Sequence, residues 1–196
     1  QRPSRWPKSK VMNAATPLQI LLAQPRGFCA GVTRAIDIVE QALRRYGAPV
    51  YVYHEIVHNQ HVVASLKDQG TIFVNDLQEV PAGAVTVFSA HGVSRAVVNQ
   101  AGQRKLHALD ATCPLVTKVH LQMRKFQQLG HHLVMVGHLG HEEVEGTVGS
   151  VDAPVAVVAS VQDVQQLPWA SHEPVAYVTQ TTLSLDDTRE ILQALR

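Results

Sequence analysis

CAGVTR at residues 29–34 and CPLVTK at residues 113–118 are one turn-into-helix segment occurring twice, and the residues downstream of each copy decide the fold. Each segment opens a helical pattern that ends near a glycine, Gly47 or Gly130. Eleven residues beyond each glycine, after an apolar strand, stands a histidine, His58 or His141. Further on, IFVNDLQEVP (72–81) corresponds to VAVVASVQDVQQLP (155–168). FSAHGVS (88–94) then corresponds to VTQTTLS (178–184), so His91 is answered by Thr181. Each unit therefore reads strand, Cys, helix, strand, His, helix, strand, short helix, strand, His or Thr.

Strand-like runs at LQILLA, PVYVY, TIFV, VTVFS, LHALDA, HHLVMVG, PVAVVAS and VAYVT alternate with segments long enough for helices. This alternation predicts an α/β fold of tandem pseudo-symmetric repeats, each a small, mostly parallel sheet flanked by helices. Val32, Ile36, Val39 and Leu43 form an apolar helical face in the first copy, and Val116, Val119, Met123 and Phe126 one in the second. Residues 18–105 are expected to form the first repeat and 106–196 the second. The basic, proline-rich segment 1–17 reads as a loose tail with no secretory h-region, and Met12 offers an alternative start.

Hydrophobic residues make up 45% and charged residues 17% of the chain, with no apolar run near the roughly 20 residues of a membrane span, so membrane insertion is not expected. A net charge of +1 without a basic stripe argues against nucleic acid as a partner. Two cysteines far apart do not form a secreted disulfide framework, which favours a reducing, cytoplasmic setting.

In parallel sheets ligands gather beyond the carboxyl ends of the strands. Cys29, His58, His91, Cys113, His141 and Thr181 all fall at such ends, and packing about a pseudo-symmetry axis would let them converge. A helix N-terminus favours thiolate in a cysteine placed before it, making Cys29 and Cys113 candidates for nucleophile or soft-metal ligand. A phosphate-cradling cysteine nucleophile is disfavoured, since Cys29 and Arg34 enclose four residues, one too few, and the second copy has Lys118. Zinc sites usually use close C-x-x-C pairs, which are absent here. An iron-sulfur cluster accepts well-separated thiolates but wants three or four. Either two chains share a cluster, or a third cysteine belongs to a unit beyond Arg196.

His58, His91 and His141 suit a diphosphate, because imidazoles donate hydrogen bonds while keeping the site's charge adjustable. His107, His120, His131, His132 and His172 lack matching partners and read as ordinary surface or packed residues. Among the acids of GHLGHEEVEGT (137–147), a protonated glutamate could act as general acid, with the Thr181 hydroxyl orienting its proton.

PRGFCAGV (25–32), HEIVHN (54–59), FSAHGVS, DATCPLVTKVH (110–120), GHEEVEGT (140–147) and TQTTLSLDDT (179–188) together resemble, in order, the motifs of the 4-hydroxy-3-methylbut-2-enyl diphosphate reductases, the LytB family. The resemblance runs from about Leu18 to the end of the chain. It implies a three-part protein around a four-iron, four-sulfur (4Fe-4S) cluster. The implied reaction is reductive dehydroxylation of an allylic diphosphate to isopentenyl and dimethylallyl diphosphate in non-mevalonate isoprenoid biosynthesis, with a ferredoxin or flavodoxin as electron donor. Carried over by motif, Cys29 and Cys113 are cluster ligands, His58, His91 and His141 bind the diphosphate, and Glu143 delivers a proton with Thr181 placing it and the substrate hydroxyl. Family members often carry proline where this chain has Glu142. The family's third cysteine belongs to a later segment, so this chain reads as the first two-thirds of an enzyme, expected to be inactive alone. The alternative is a noncatalytic diphosphate-binding or interaction module with the same fold.

Overall fold

The computed structural model describes residues 20–24, 26–170 and 172–196; the expected tail at 1–17 lies outside them. The order of elements is α1 (Ala30–Tyr46), β1 (Val50–Tyr53), α2 (Gln60–Asp68), β2 (Thr71–Val74), a 3-10 turn (Leu77–Glu79), β3 (Val85–Phe88), α3 (Arg95–Gln103) and β4 (His107–Asp110). Then come α4 (Pro114–Gln128), β5 (His132–Val136), α5 (Glu142–Val148), β6 (Val155–Val158), α6 (Val161–Gln165), β7 (Val175–Thr179) and α7 (Leu185–Ala194). The first sheet has the order β2-β1-β3-β4 and the second β6-β5-β7, with every pairing parallel.

The shared order, with β1 matching β5, β2 matching β6 and β3 matching β7, is the repeat expressed in space. The fourth strand of the first sheet, β4, leads directly into the loop of Cys113. Among the described residues no helix is long and apolar enough to cross a membrane.

Side chains alternate across each strand, so each small sheet carries two cores. Val50 and Val52 pack under α1 with Val39, Ile56, Leu66 and Val87, while Tyr51 and Tyr53 face the other side with Val74, Leu77, Val80 and Phe88. In the second unit Leu133 and Met135 meet Met123 of α4, whereas Val134 and Val136 meet Ile191 of α7. Strands covered on both faces read as continuous apolar runs, which is why PVYVY and HHLVMVG stand out in the sequence.

Two expectations need correction. The LQILLA run is not a strand among the described residues: Ile20, Leu21 and Leu22 are exposed and pair with no neighbouring strand that would take up their backbone N–H and C=O groups. Its first two residues lie outside the described residues. The buried face of α1 centres on Ala35, Val39 and Ala42, with Val32 and Leu43 at its margins and Ile36 outside that core. The two alanines let the helix lie close on the sheet, which turns the face away from the larger Ile36.

Candidate functional site

The cysteines take the N-cap positions of α1 and α4, and neither side chain caps its own helix. Both are free thiols, Cys29 exposed and Cys113 partly so. Gly31 shows how they stand to each other: a methyl group at its Cα would lie 2.6 Å from the Cys113 Sγ and 3.8 Å from the Cys29 Sγ. The two sulfurs thus flank one point, which only a residue without Cβ leaves open. Arg34 of α1 ties the second loop to the first, donating to the carbonyl oxygens of Thr112 at 3.0 Å and Asp110 at 3.4 Å.

The cysteine loops also hold the histidines. The Cys113 N–H donates to the Ala90 carbonyl at 2.9 Å, fixing the residue before His91, and the Ala90 N–H donates to the Ile56 carbonyl at 3.1 Å, fixing the loop that carries His58. Gly92 comes next with φ 76°, a left-handed turn, and a Cβ there would come within 3.1 Å of the His120 ring. On the other side Gly146 of α5 presses on the same loop: a Cβ on it would lie 3.0 Å from the Gly92 carbonyl oxygen. These close backbone approaches bring His91, from the first unit, beside His141, from the second.

The expected trio converges. The rings of His58 and His91 stack with centroids 4.2 Å apart, and His141 stands edge-on to both, at 5.3 Å from His58 and 5.7 Å from His91. His141 caps α5, its Nδ1 accepting the Glu143 N–H at 3.1 Å. With Nδ1 accepting, a neutral His141 carries its proton on Nε2, free to donate to a ligand. Burial pushes the pKa of His91 down to about 4, helped by the neighbouring imidazoles of His58, His141 and His54.

Next to this trio Glu143 is 1% exposed, the most buried acid of the segment. Its Oε1 accepts the Thr181 N–H at 2.6 Å and its Oε2 accepts the Thr181 hydroxyl at 2.8 Å. Gln180 secures the loop bearing Thr181: its N–H donates to the Val136 carbonyl at 2.8 Å and its Oε1 accepts the His138 N–H at 3.1 Å. The structure therefore joins Glu143 to Thr181, pairs the two sulfurs, and clusters the three histidines. Of the histidines expected to play no part, His107 is exposed on β4 and His120 is buried in α4, its pKa lowered to about 4 mainly by burial and then by Arg124.

Two members were not singled out as site residues by the sequence. His54 directly follows β1 in the left-handed region at φ 62°, uncommon for a residue with a Cβ. Glu142 reaches back across the unit boundary, its Oε2 3.2 Å from His58 Nε2 and 3.9 Å from His91 Nε2, its Oε1 4.0 Å from His54 Nδ1. The HEIVH spacing, and a glutamate where the resemblance leads one to expect proline, were the available signals.

This geometry has known counterparts. The family model described as LytB protein matches residues 20–196. The chain belongs to the LytB family. Within it, the chain is 60% identical over 179 residues to the 4-hydroxy-3-methylbut-2-enyl diphosphate reductase of Zymomonas mobilis, covering 91% of this chain and 53% of that protein. It is equally 60% identical to reductase 2 of Bradyrhizobium diazoefficiens, over 91% of this chain and 58% of the relative. The solved structure of the E-1-hydroxy-2-methyl-but-2-enyl-4-diphosphate reductase from Plasmodium falciparum superposes with a TM-score of 0.85 at 42% identity, covering 88% of this chain and 54% of that one. This LytB chain thus spans a little over half the length of the curated relatives it matches.

Proposed function

We propose that this LytB chain forms the catalytic half-site of a reductase that removes the hydroxyl of (E)-4-hydroxy-3-methylbut-2-enyl diphosphate. The convergence of three imidazoles beside a buried glutamate held by Thr181 carries this reading. His58, His91 and His141 would bind the diphosphate, with His141 donating from Nε2 while its Nδ1 is engaged by the backbone. Glu143 would hold the proton that leaves with the substrate oxygen, and Thr181 fixes both of its carboxylate oxygens. The C–O bond breaks, two electrons and two protons are taken up, and water departs, leaving isopentenyl or dimethylallyl diphosphate.

The donor set fits a soft metal group: two free thiols flank the space that Gly31 leaves open, so Cys29 and Cys113 would be ligands. When bound, a four-iron, four-sulfur cluster would supply electrons and a Lewis-acidic iron for the substrate oxygen. A third thiolate would come from residues outside this chain, which has two cysteines. A ferredoxin or flavodoxin would deliver the electrons, and a cytoplasmic setting would keep both thiols reduced.

The test is Glu143→Gln in the full-length reductase. The amide keeps the shape and both contacts to Thr181 but cannot deliver the proton, so turnover should fall at least a hundredfold while substrate still binds. Turnover within threefold of wild type removes Glu143 from that role. The two-cysteine count favours a second reading for this chain by itself, that of a diphosphate-binding module without turnover. Calorimetry with inorganic pyrophosphate tests the anion pocket common to both readings, and no heat of binding would count against each.

A further inference from the structure

Among the described residues, one group of three or more metal-ligating side chains brings its ligand atoms together: His58, His91 and Glu142, with one atom from each within 4.8 Å of the others. Glu142 is the first residue of α5, yet it takes no part in capping that helix, a task His141 performs. Its carboxylate crosses instead to the histidines of the first unit.

Glu142 Oε2 and His91 Nε2 are both shut off from solvent, and neither has a hydrogen-bond partner. They face each other across 3.9 Å, too far for a hydrogen bond, and the 3.2 Å approach of His58 Nε2 to the same oxygen does not satisfy it either. Leaving a buried polar atom unpaired is destabilising, so two aimed at one point call for a third party. A proton shared between them would need a shorter separation. A cation does not: with ligand bonds of about 2.0–2.2 Å, tetrahedral coordination separates donor atoms by about 3.3–3.6 Å. The observed 3.2 and 3.9 Å bracket that value.

The donor chemistry selects the ion. Two imidazoles and one carboxylate suit zinc and its transition-metal neighbours, whereas magnesium and calcium take oxygen donors. His58 is half exposed, so an ion can enter on its side and keep a water as fourth ligand.

We propose that His58, His91 and Glu142 bind a divalent transition-metal ion of the zinc class. The site shares two imidazoles with the proposed diphosphate pocket but does not rest on that reading. A ring nitrogen that ligates the ion presents its lone pair there and cannot also present a proton to a phosphate oxygen, so His58 and His91 cannot serve ion and diphosphate through the same nitrogens. Glu142 is what adds the ion to the repertoire of this pocket.

The test is calorimetric titration with Zn²⁺ of the full chain carrying Cys29→Ser and Cys113→Ser, which removes the competing thiolates. One equivalent should bind, and Glu142→Gln should weaken it at least tenfold. Glu142→Pro should do the same, since proline is well tolerated at the first helical position. Glu145→Gln, one turn on and outside the trio, should leave binding unchanged. Binding in Glu142→Gln within twofold of its parent, or no saturable binding by a chain with a native circular dichroism spectrum, overturns the proposal. Pyrophosphate titrated in chelator-treated buffer separates the two readings. Zinc binding that depends on Glu142, with no pyrophosphate binding, sinks the diphosphate pocket and leaves the ion site. Pyrophosphate binding in both chains, with zinc indifferent to Glu142, does the reverse.

Discussion

Thr181→Val isolates the contact on which the placement of Glu143 depends. Valine matches threonine in volume, so the change removes the hydroxyl that donates to Glu143 Oε2 at 2.8 Å and opens no space for water. The Thr181 N–H, 2.6 Å from Oε1, stays in place. Because Glu143 is 1% exposed, Oε2 has no solvent to turn to. A hydrogen bond to a carboxylate in such a setting is worth about 1.5–3 kcal/mol, and that is the expected loss of stability. In urea, where slopes for small proteins run at about 1–3 kcal/mol per molar, the unfolding midpoint followed by circular dichroism should fall by about 1 M. Thr181→Ser, which restores the hydroxyl, should recover most of the loss. Glu143→Gln supplies the second arm of a double-mutant cycle. With an amide opposite, the Thr181 hydroxyl makes only a neutral bond worth about 1 kcal/mol, so removing it should cost correspondingly less. A Thr181→Val chain within about 0.5 kcal/mol of wild type, or an equal loss in both backgrounds, would show that Thr181 does not hold Glu143.

Acid should destabilise the chain through His91 and His120. Both have folded pKa values near 4, below the usual 6.5, so the unfolded state binds more protons between those limits; stability is full above pH 6.5 and declines as pH falls toward 4, by up to about 3 kcal/mol for each histidine. Urea midpoints measured across that range should show the slope, and His120→Asn should flatten it; an unchanged slope would refute the assignment. Gly31→Ala should cost the protein no stability, since alanine is the better helix former by about 1 kcal/mol, but its Cβ would displace the Cys113 sulfur and weaken Cd²⁺ binding by the thiol pair at least tenfold, read from thiolate absorbance. Asn59→Ala removes the side-chain acceptor of the Val62 N–H at the start of α2 and should cost about 1 kcal/mol in the same urea assay.

Where sequence reading succeeded, the physics was local or repeated. PVYVY and HHLVMVG could be assigned because strands covered on both faces admit few polar residues, and the second unit confirmed the first position by position. His58 and His141, and His91 and Thr181, could be matched for the same reason: each stands shortly after a strand end, and such ends share one side of a parallel sheet, as Cys113 does after β4, whereas Cys29 follows no strand among the described residues and was matched to Cys113 by the repeat alone. The failures share a cause too. Ile20 to Leu22 look like a strand in isolation, but a strand exists only with a partner, and partner choice is not a local property. Glu142 was given no place in the site because the atoms that give it meaning belong to His54, His58 and His91, far back along the chain in the other unit.

The site belongs to the boundary between the units rather than to either of them. One unit alone supplies Cys29, His58 and His91; the other supplies Cys113, His141, Glu143 and Thr181. What aligns them is a row of contacts in which side chains are mostly missing or reach for backbone. Gly146 lies against the Gly92 carbonyl, the Gly149 carbonyl accepts the Arg95 N–H at 2.9 Å, and Arg34 holds the Thr112 carbonyl. Backbone contacts tolerate little adjustment, since a carbonyl oxygen cannot change rotamer to relieve a clash. An alanine at Gly146 would place its Cβ 3.0 Å from the Gly92 oxygen and push the His91 loop away from α5. Each unit's own cores, built on Val39 and Val52 or on Leu133 and Met135, would remain intact. Gly146→Ala should therefore weaken pyrophosphate and Zn²⁺ binding together, at least tenfold, while moving the urea midpoint by less than about 0.5 M. Loss of stability without loss of binding would mean that the histidines are positioned within their own units and that the boundary only glues them.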